Sequence, residues 1–490
     1  MKDATITLIE CGKERRLSVQ TGDKLPQALA PHGVYIDLPC ASRGSCQGCW
    51  VLVDGQRRLA CQTVLEGDVR VELLKPDEMS AIATGGQTGP VPGNDPLYTQ
   101  LGVSADIGTT TICAHLLDES GKILSTATRK NPQTRFGADV ISRIEKAMSG
   151  QGDELAGCVR GTLAEMIDQL CVDAAQQPER IDGLVLTGNT AMLYLLVGQD
   201  PTELSRAPFS ASRLFGEELD ARELGLALAP GARVHLPRCI SAFVGGDVTT
   251  AIVASGICES DKTCLLVDIG TNGEIALWRK GELICCSTAA GPAFEGAGID
   301  CGVYGVAGAI DRVWVQEGKA RHSTIGEGPA VGICGSGIVD AIATMLKLGV
   351  IDETGAFAQR DTTFELEGRV CVTPADVRQI QLAKGSVRAG LETLLTATGV
   401  DKSQIDTLYI AGGFGSYLDL CSAADIGLIP REMLGRVKVI GNAAHTGATM
   451  LLRDKALARS AGQLARQART IALDANPVFS ENFMMHMLLE

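Results

Sequence analysis

Four cysteines within the first 61 residues carry the clearest chemical signal in this chain. Cys40, Cys46 and Cys49 lie on a stretch of small side chains, Cys-Ala-Ser-Arg-Gly-Ser-Cys-Gln-Gly-Cys, and Cys61 follows a predicted hairpin of 50–53 and 58–61 around Asp54-Gly55. Thiolates on tight, glycine-bearing backbone suit an iron–sulfur cluster, because Ala41, Ser42, Gly44, Ser45 and Gly48 let backbone N–H groups approach the cluster sulfurs. Zinc is the alternative. It usually takes two close Cys-x-x-Cys pairs, and only Cys46/Cys49 has that spacing. The plainer reading is four unrelated reduced thiols.

A second set of residues points to phosphate chemistry. An apolar strand enters Asp106-Ile-Gly-Thr-Thr-Thr and another leaves it. Gly108 permits a tight turn whose N–H groups, with the hydroxyls of Thr109 and Thr110, can hold phosphate oxygens. Asp106 at the strand end can orient Mg²⁺ through water. By itself Asp-x-Gly-Thr also makes ordinary hairpins, but the pattern recurs 162 residues later as Asp268-Ile-Gly270-Thr271-Asn272. A later pair repeats too: Asp182-Gly-Leu-Val-Leu-Thr-Gly-Asn and Asp406-Thr-Leu-Tyr-Ile-Ala-Gly-Gly each read as a strand, a glycine turn and a helix start. Such a duplication predicts two similar α/β lobes with mixed sheets facing one cleft. No Gly-x-x-x-x-Gly-Lys-Ser/Thr occurs, which excludes a P-loop.

These motifs resemble two families. The cysteine loop is similar to that of a plant-type [2Fe–2S] ferredoxin, although its first gap holds five residues rather than four. Its short gap before Cys61 is closer to succinate dehydrogenase iron–sulfur subunits. From about Leu101 onward the chain resembles the acetate kinase, sugar kinase, Hsp70 and actin superfamily. Asp106–Thr110 matches its first phosphate motif and Asp268–Asn272 its second. Gly412, Gly413, Phe414 and Gly415 match the adenosine motif, and Gly335, Ser336 and Gly337, leading into a helix over 338–348, match a connecting helix. Close helix packing is the alternative for Gly335 and Gly337. The implied fold is an α+β ferredoxin-like (β-grasp) N-terminal domain plus an α/β two-lobed actin/Hsp70/sugar-kinase-like ATPase body. The expected divisions are a ferredoxin domain over 1–78, a Gly/Pro-rich mobile linker over 79–100, a first lobe over 101–260 and a second over 261–490 with a C-terminal tail.

Two further stretches, 131–143 with Asp139 and Arg143 and 290–298 with Glu295, have no generic explanation beyond lobe packing. Together with a ferredoxin domain in front they resemble the ATP-dependent reductive activators of corrinoid proteins. That resemblance implies reduction of an inactive Co(II) corrinoid to Co(I), with a [2Fe–2S] cluster, ATP and Mg²⁺ as cofactors. It further implies a corrinoid protein of a methyltransferase system and a low-potential electron donor as partners, and a homodimer. Asp106 and Asp268 are the residues expected to organise Mg²⁺ and water. Asp247, Glu274 and Glu295 are candidates for positioning the attacking water, with a helix cap or a packing carboxylate as the ordinary alternative for each. The methylamine activators carry C-terminal cluster cysteines that this chain lacks, and its terminal methionines 484, 485 and 487 read as core. Alternatives of other classes are a redox-regulated small-metabolite kinase and a nucleotide-gated electron-transfer module without significant hydrolysis. Activators of acyl-CoA dehydratases share the nucleotide fold, but their [4Fe–4S] cluster does not match this N-terminal spacing.

Composition narrows the setting. The 490 residues suffice for about three domains, and the net charge of −14 argues against a nucleic-acid partner. Residues 1–80 carry ten basic and eleven acidic side chains, so nearly all of the excess negative charge lies in the remainder. The N-terminal residues read as a first strand rather than a signal peptide, and no apolar run is long enough to span a bilayer. The 17 cysteines are otherwise scattered singly among apolar neighbours (Cys113, Cys264, Cys334, Cys371), apart from Cys285-Cys286, which fits reduced, buried usage in an anaerobic cytoplasm. If Cys46 is a cluster ligand, Cys46→Ser reconstituted anaerobically is expected to lose or alter the visible [2Fe–2S] spectrum of the wild type; an unchanged spectrum removes Cys46 from the ligand set.

Overall fold

The computed structural model describes residues 3–10, 13–32, 34, 36, 50–73, 95–359, 362–413 and 418–490. Backbone contacts divide the chain into two compact units. One comprises Met1–Ser80, Glu295–Ile351 and Ala356–Gln379, and the other Ala81–Phe294, Asp352–Gly355 and Ile380–Glu490.

In the first unit, β1 (Asp3–Glu10) and β2 (Lys13–Gln20) pair antiparallel with Thr5 opposite Ser18, and α1 (Leu25–Leu29) follows. Strands β3 (Trp50–Val53) and β4 (Gln56–Leu59) form a hairpin across Asp54-Gly55, whose φ values of 52° and 77° suit the twist of the flanking strands. The returning strand ends at Leu59, so Cys61 lies in a 3₁₀ turn, Ala60–Gln62, rather than on the strand expected over 58–61, and it is fully buried there. β5 (Val69–Leu73) completes a five-stranded sheet of order β2-β1-β5-β3-β4. Ile6 and Leu8 of β1 point into a core with Leu25, Leu29 and Val71, while Thr5 and Thr7 between them are less buried, as the two-residue strand period requires. Cys40, Cys46 and Cys49 lie outside the described residues, as does most of the expected linker.

In the second unit, β6 (Leu101–Ile107), β7 (Thr111–Leu117) and β8 (Ile123–Lys130) form an antiparallel meander, followed by α2 (Val140–Lys146) and α3 (Gly152–Asp173). β9 (Ile181–Thr187) returns parallel to β6, and α4 (Thr190–Val197) leaves it. β10 (Glu217–Asp220) and β11 (Arg233–Leu236) finish a six-stranded sheet of order β10-β11-β9-β6-β7-β8, and α5 (Gly246–Ser255) follows. Covered on both faces, β6 and β9 read as continuous apolar runs. The meander then repeats as β12 (Cys264–Ile269), β13 (Gly273–Arg279) and β14 (Glu282–Thr288).

The next segment belongs largely to the first unit. It holds β15 (Ala309–Gln316), β16 (Lys319–Thr324), β17 (Gly332–Ile333), α6 (Gly335–Lys347) and the hairpin of β18 (Phe364–Glu367) with β19 (Val370–Val372). Cys113, Cys264 and Cys334 are buried as expected, but Cys371 is only half-buried, because Val370 and Val372 take the inward face of β19. After α7 (Pro374–Thr398), β20 (Thr407–Ala411) runs parallel to β12. Then come α8 (Leu420–Asp425), β21 (Val437–Gly441), α9 (Ala443–Arg453), α10 (Lys455–Gln467), β22 (Arg469–Thr470) and α11 (Pro477–Met485).

The second sheet has the order β21-β20-β12-β13-β14-β22. Strands β11-β9-β6-β7-β8 and β21-β20-β12-β13-β14 therefore share order and direction, as the duplicated motifs predict. Equivalent helices α5 and α9 pack on each other. A Cβ at Gly447 on α9 would collide with the carbonyl of Thr250 on α5, so this crossing requires glycine. Gly447→Leu is expected to lower the melting temperature, with a cost of about 1–3 kcal/mol from overpacking. Gly157→Ala on the exposed face of α3, where a Cβ meets nothing within 4 Å, is expected to leave it unchanged or raise it. Thermal melts of the two variants would check both signs.

Candidate functional site

Each duplicated turn is held by its own half in the same way. The Gly108 N–H donates to Thr111 O at 3.0 Å, and the Gly270 N–H to Asn272 O at 2.9 Å. Asn131 N–H donates to Thr110 O and Gly291 N–H to Thr271 O, both at 2.8 Å. Beside each turn the parallel neighbour strand ends in a glycine. A Cβ at Gly188 would lie 2.7 Å from Ile107 O, and one at Gly412 would collide with Ile269 O. Only glycine lets these strand ends approach so closely.

This arrangement gives the stretch 131–143 its task. Asn131 Nδ2 donates to Gly108 O at 2.8 Å, and the buried Arg143 donates to Thr109 O and, through Nε at 3.0 Å, to Gly137 O. Asp139 caps α2 by accepting from Ser142 N at 2.8 Å. Asn189, the N-cap of α4, donates to Thr109 Oγ1 at 3.1 Å. The first phosphate turn is therefore braced from three sides before any ligand binds.

Four predicted carboxyls come together in this unit. Asp106 is the last residue but one of β6 and lies in register with Thr187, and Asp268 is the last but one of β12, in register with Ala411 and Glu274. Asp247 stands in the first turn of α5 and accepts from Val248 N–H at 2.8 Å. Desolvation, with repulsion from Asp247 and Asp268, pushes the Asp106 carboxyl up to about 8. Desolvation and Asp247 raise Asp268 to about 7, and desolvation raises Asp247 to about 6. Glu274, 8% exposed, is pushed well upward by burial and by both aspartates. Three of these side chains keep a little open surface, yet the surrounding atoms are dense enough to disfavour charge. Asn442, the N-cap of α9, opposes the shift by hydrogen bonding to Asp106.

The described residues set no lysine or arginine charge against this group. Nor do three His, Cys, Asp or Glu side chains among them converge tightly enough to hold one metal ion directly. A divalent cation held through its water shell, with phosphate oxygens as further ligands, fits such a group, because it would neutralise carboxyls that otherwise repel one another.

The other predicted residues stand as follows. Gly108, Thr109, Thr110, Gly270, Thr271, Asn272, Gly412 and Gly413 lie at or beside the two turns. Glu295, Gly335 and Ser336 are parts of the other compact unit. Phe414 and Gly415 lie outside the described residues. Sequence reading missed Asn442 and Asn189. Gly441-Asn442 at the end of β21 reads only as an ordinary helix N-cap, and nothing in it marks the carboxyl that Asn442 serves.

Comparison with known proteins agrees with this geometry. Residues 262–490 match the family described as the C-terminal domain of RACo, the ASKHA domain, and residues 101–260 match the RACo middle region. A corrinoid activation enzyme, RamQ, from Eubacterium limosum is 35% identical over 429 residues, covering 81% of this chain and 72% of that protein. The chain belongs to the RACo family. Its body is accordingly an ASKHA ATPase fold. A Methanosarcina barkeri protein named [Co(II) methylated amine-specific corrinoid protein] reductase is 26% identical over 364 residues, 67% of this chain and 66% of the relative. A solved reductive activator for a corrinoid, iron–sulfur protein superposes with a TM-score of 0.76 at 26% identity, covering 99% of this chain and 98% of its own.

The raised carboxyls predict a pH dependence for the metal-free protein. In the unfolded chain the aspartates titrate near 3.8, whereas in the fold Asp106 titrates near 8. Between those values the folded state binds more protons than the unfolded state, so stability falls as pH rises through the window. Asp268→Asn removes one of the repelling charges. In EDTA it is expected to raise the melting temperature more at pH 8 than at pH 5.5, and equal shifts at the two pH values would refute the electrostatic account.

Proposed function

We propose that this chain is an ATP-dependent reductive activator. It returns the inactive Co(II) corrinoid of a partner protein to Co(I), taking one electron from a low-potential donor through a [2Fe–2S] cluster and using ATP hydrolysis for the uphill step. One observation carries the reading: duplicated ASKHA turns with Asp106, Asp247, Asp268 and Glu274 gathered beside them, in a chain of the family to which the corrinoid-activating relatives belong.

Cys40, Cys46, Cys49 and Cys61 would hold the cluster, on a domain over 1–78 whose described residues form a five-stranded sheet and a short helix, which supports a ferredoxin-like β-grasp. The cluster supplies one-electron transfer. Plant-type centres lie near about −400 mV. Every ~59 mV by which the Co(II)/Co(I) couple lies lower costs about 1.4 kcal/mol, which a cluster alone does not provide. The ATPase body, with lobes over 101–260 and 261–490 joined to the cluster domain by the linker at 79–100, provides it by changing which conformation of the complex is stable. The partner belongs to a methyltransferase system, and the protein works in the cytoplasm as a homodimer.

Bound Mg²⁺ would neutralise charge on the β- and γ-phosphates. Asp106 and Asp268 orient its water shell. Backbone N–H groups of the two turns, the hydroxyls of Thr109, Thr110 and Thr271, and Asn272 would receive phosphate oxygens, while Gly412–Gly415 belong to the motif assigned to the adenosine. Asp247 and Glu274, whose raised proton affinity suits a general base, position the attacking water. Glu295 is a further candidate for positioning that water, and Gly335 and Ser336 belong to the stretch that resembles the family's connecting helix.

The test mixes the protein anaerobically with titanium(III) citrate, Mg-ATP and candidate Co(II) corrinoid proteins. Co(I) absorbance is expected to rise only with ATP. Asp268→Ala is expected to cut ATP turnover about 10²–10³-fold, and Cys46→Ser to stop electron delivery while ATP binding persists. Undiminished turnover in Asp268→Ala would sink the metal assignment. Phosphate transferred to a small metabolite, with no Co(I) from any partner, would establish a kinase instead.

A further inference from the structure

Away from the carboxyl group, the second unit contains a cavity of about 460 Å³. Its walls come from α10, from the C-terminal part of α9, from Thr249 on α5 and from the β10–β11 region. None of the four carboxyls of the candidate site lines it.

The charge in this cavity is one-sided once existing partners are assigned. Lys455, Arg459 and Arg466 fall at i, i+4 and i+11 along α10, which places them on one helix face, and Arg238 faces the cavity from the segment after β11. The carboxylates in the wall are Glu217 and Glu218. Both are already engaged by cations outside the cavity, Glu217 with Arg213 at 2.6 Å and Glu218 with Arg233 at 3.7 Å. Lys455 is matched by Asp95 at 2.9 Å. Arg459 and Arg466 make no ion pair or hydrogen bond among the described residues. The Nε of Arg238 is fully buried without a hydrogen-bond partner, and its Nη1 reaches only Phe215 O at 3.4 Å. Three guanidinium groups thus line one cavity, Arg459 and Arg466 exposed on its helix side and Arg238 with its Nε buried, in a protein whose net charge is −14.

A buried guanidinium N–H without an acceptor is costly, and such a group is retained where a ligand supplies the acceptor. Forked guanidinium donors match phosphate oxygens two at a time. The volume is that of a small-molecule site, and Gly462, at which a Cβ would meet nothing within 4 Å, keeps the helix side open. We propose that this cavity binds a small molecule carrying two or more phosphate groups, gripped by Arg238, Arg459 and Arg466.

Isothermal titration of the intact protein with pyrophosphate, in EDTA so that the carboxyl group repels anions, tests the site. A single saturable site is expected, with affinity falling as salt rises. Arg459→Ala/Arg466→Ala should weaken it by at least about tenfold, the equivalent of about 1.4 kcal/mol. If that variant melts early, Arg459→Lys/Arg466→Lys, which keeps the charge and loses the forks, should still bind pyrophosphate more weakly than wild type. No saturable binding at millimolar pyrophosphate, equal binding by the variants, or citrate binding as tightly as pyrophosphate would each overturn the proposal.

Discussion

The contact between α5 and α9 is the constraint on which the candidate site depends. Each helix follows the outer parallel strand of its own half, β11 or β21, and the two cross where Gly447 meets the backbone of Thr250. Any side chain at that point would force the helices apart. Because they cross closely, their N-terminal ends present Asp247 and Asn442 to strand ends that carry Asp268 and Asp106. Neither half assembles this set alone. Leu451 and Leu452 of α9 are fully buried and anchor the helix with roughly 1.5–3 kcal/mol each.

What the crossing assembles is electrostatically unfavourable. Desolvation raises all four carboxyls, repulsion from neighbouring carboxyls adds to it at Asp106, Asp268 and Glu274, and Asn442 offers only partial relief to Asp106. A stable protein keeps such a group where a ligand brings the compensating charge, and a hydrated divalent cation with a polyphosphate does so. A related argument with opposite sign applies to Arg238, whose Nε is buried without an acceptor opposite the exposed Arg459 and Arg466 of α10. There the cations lack their partner, and the chain's acidic side chains nearby are already engaged.

The support around the turns accounts for residues that touch no expected ligand. Arg143 is buried and spends its donors on the carbonyls of Thr109 and Gly137. Asn131 and Asn189 hold the same turn from other elements. Turns that receive phosphate through their backbone must be rigid in advance, since any freedom left in them is lost on binding. A stretch that reads as a packing loop is thereby tied to the chemistry.

Much of this was legible in the residues alone. Two Asp-Ile-Gly-Thr turns and two later strand–glycine turns, in the same order, establish the duplication, since strand ends and tight turns are local properties written in apolar runs and glycines. The paired sheets follow from them directly. The fate of Cys61, one turn beyond its strand, was not legible, because where a short strand stops depends on the neighbours that pair with it. Asn442 and the charge imbalance at α10 were not legible either. An asparagine at a helix start and arginines on an exposed-looking stripe are ordinary in sequence. They acquire meaning only when distant helices pack, because desolvation and Coulomb coupling depend on distances in space. The sequence by itself determined which residues could bind phosphate and cation; the tertiary structure decided which of them share one site, since that is set by a helix crossing nearly two hundred residues apart in the chain.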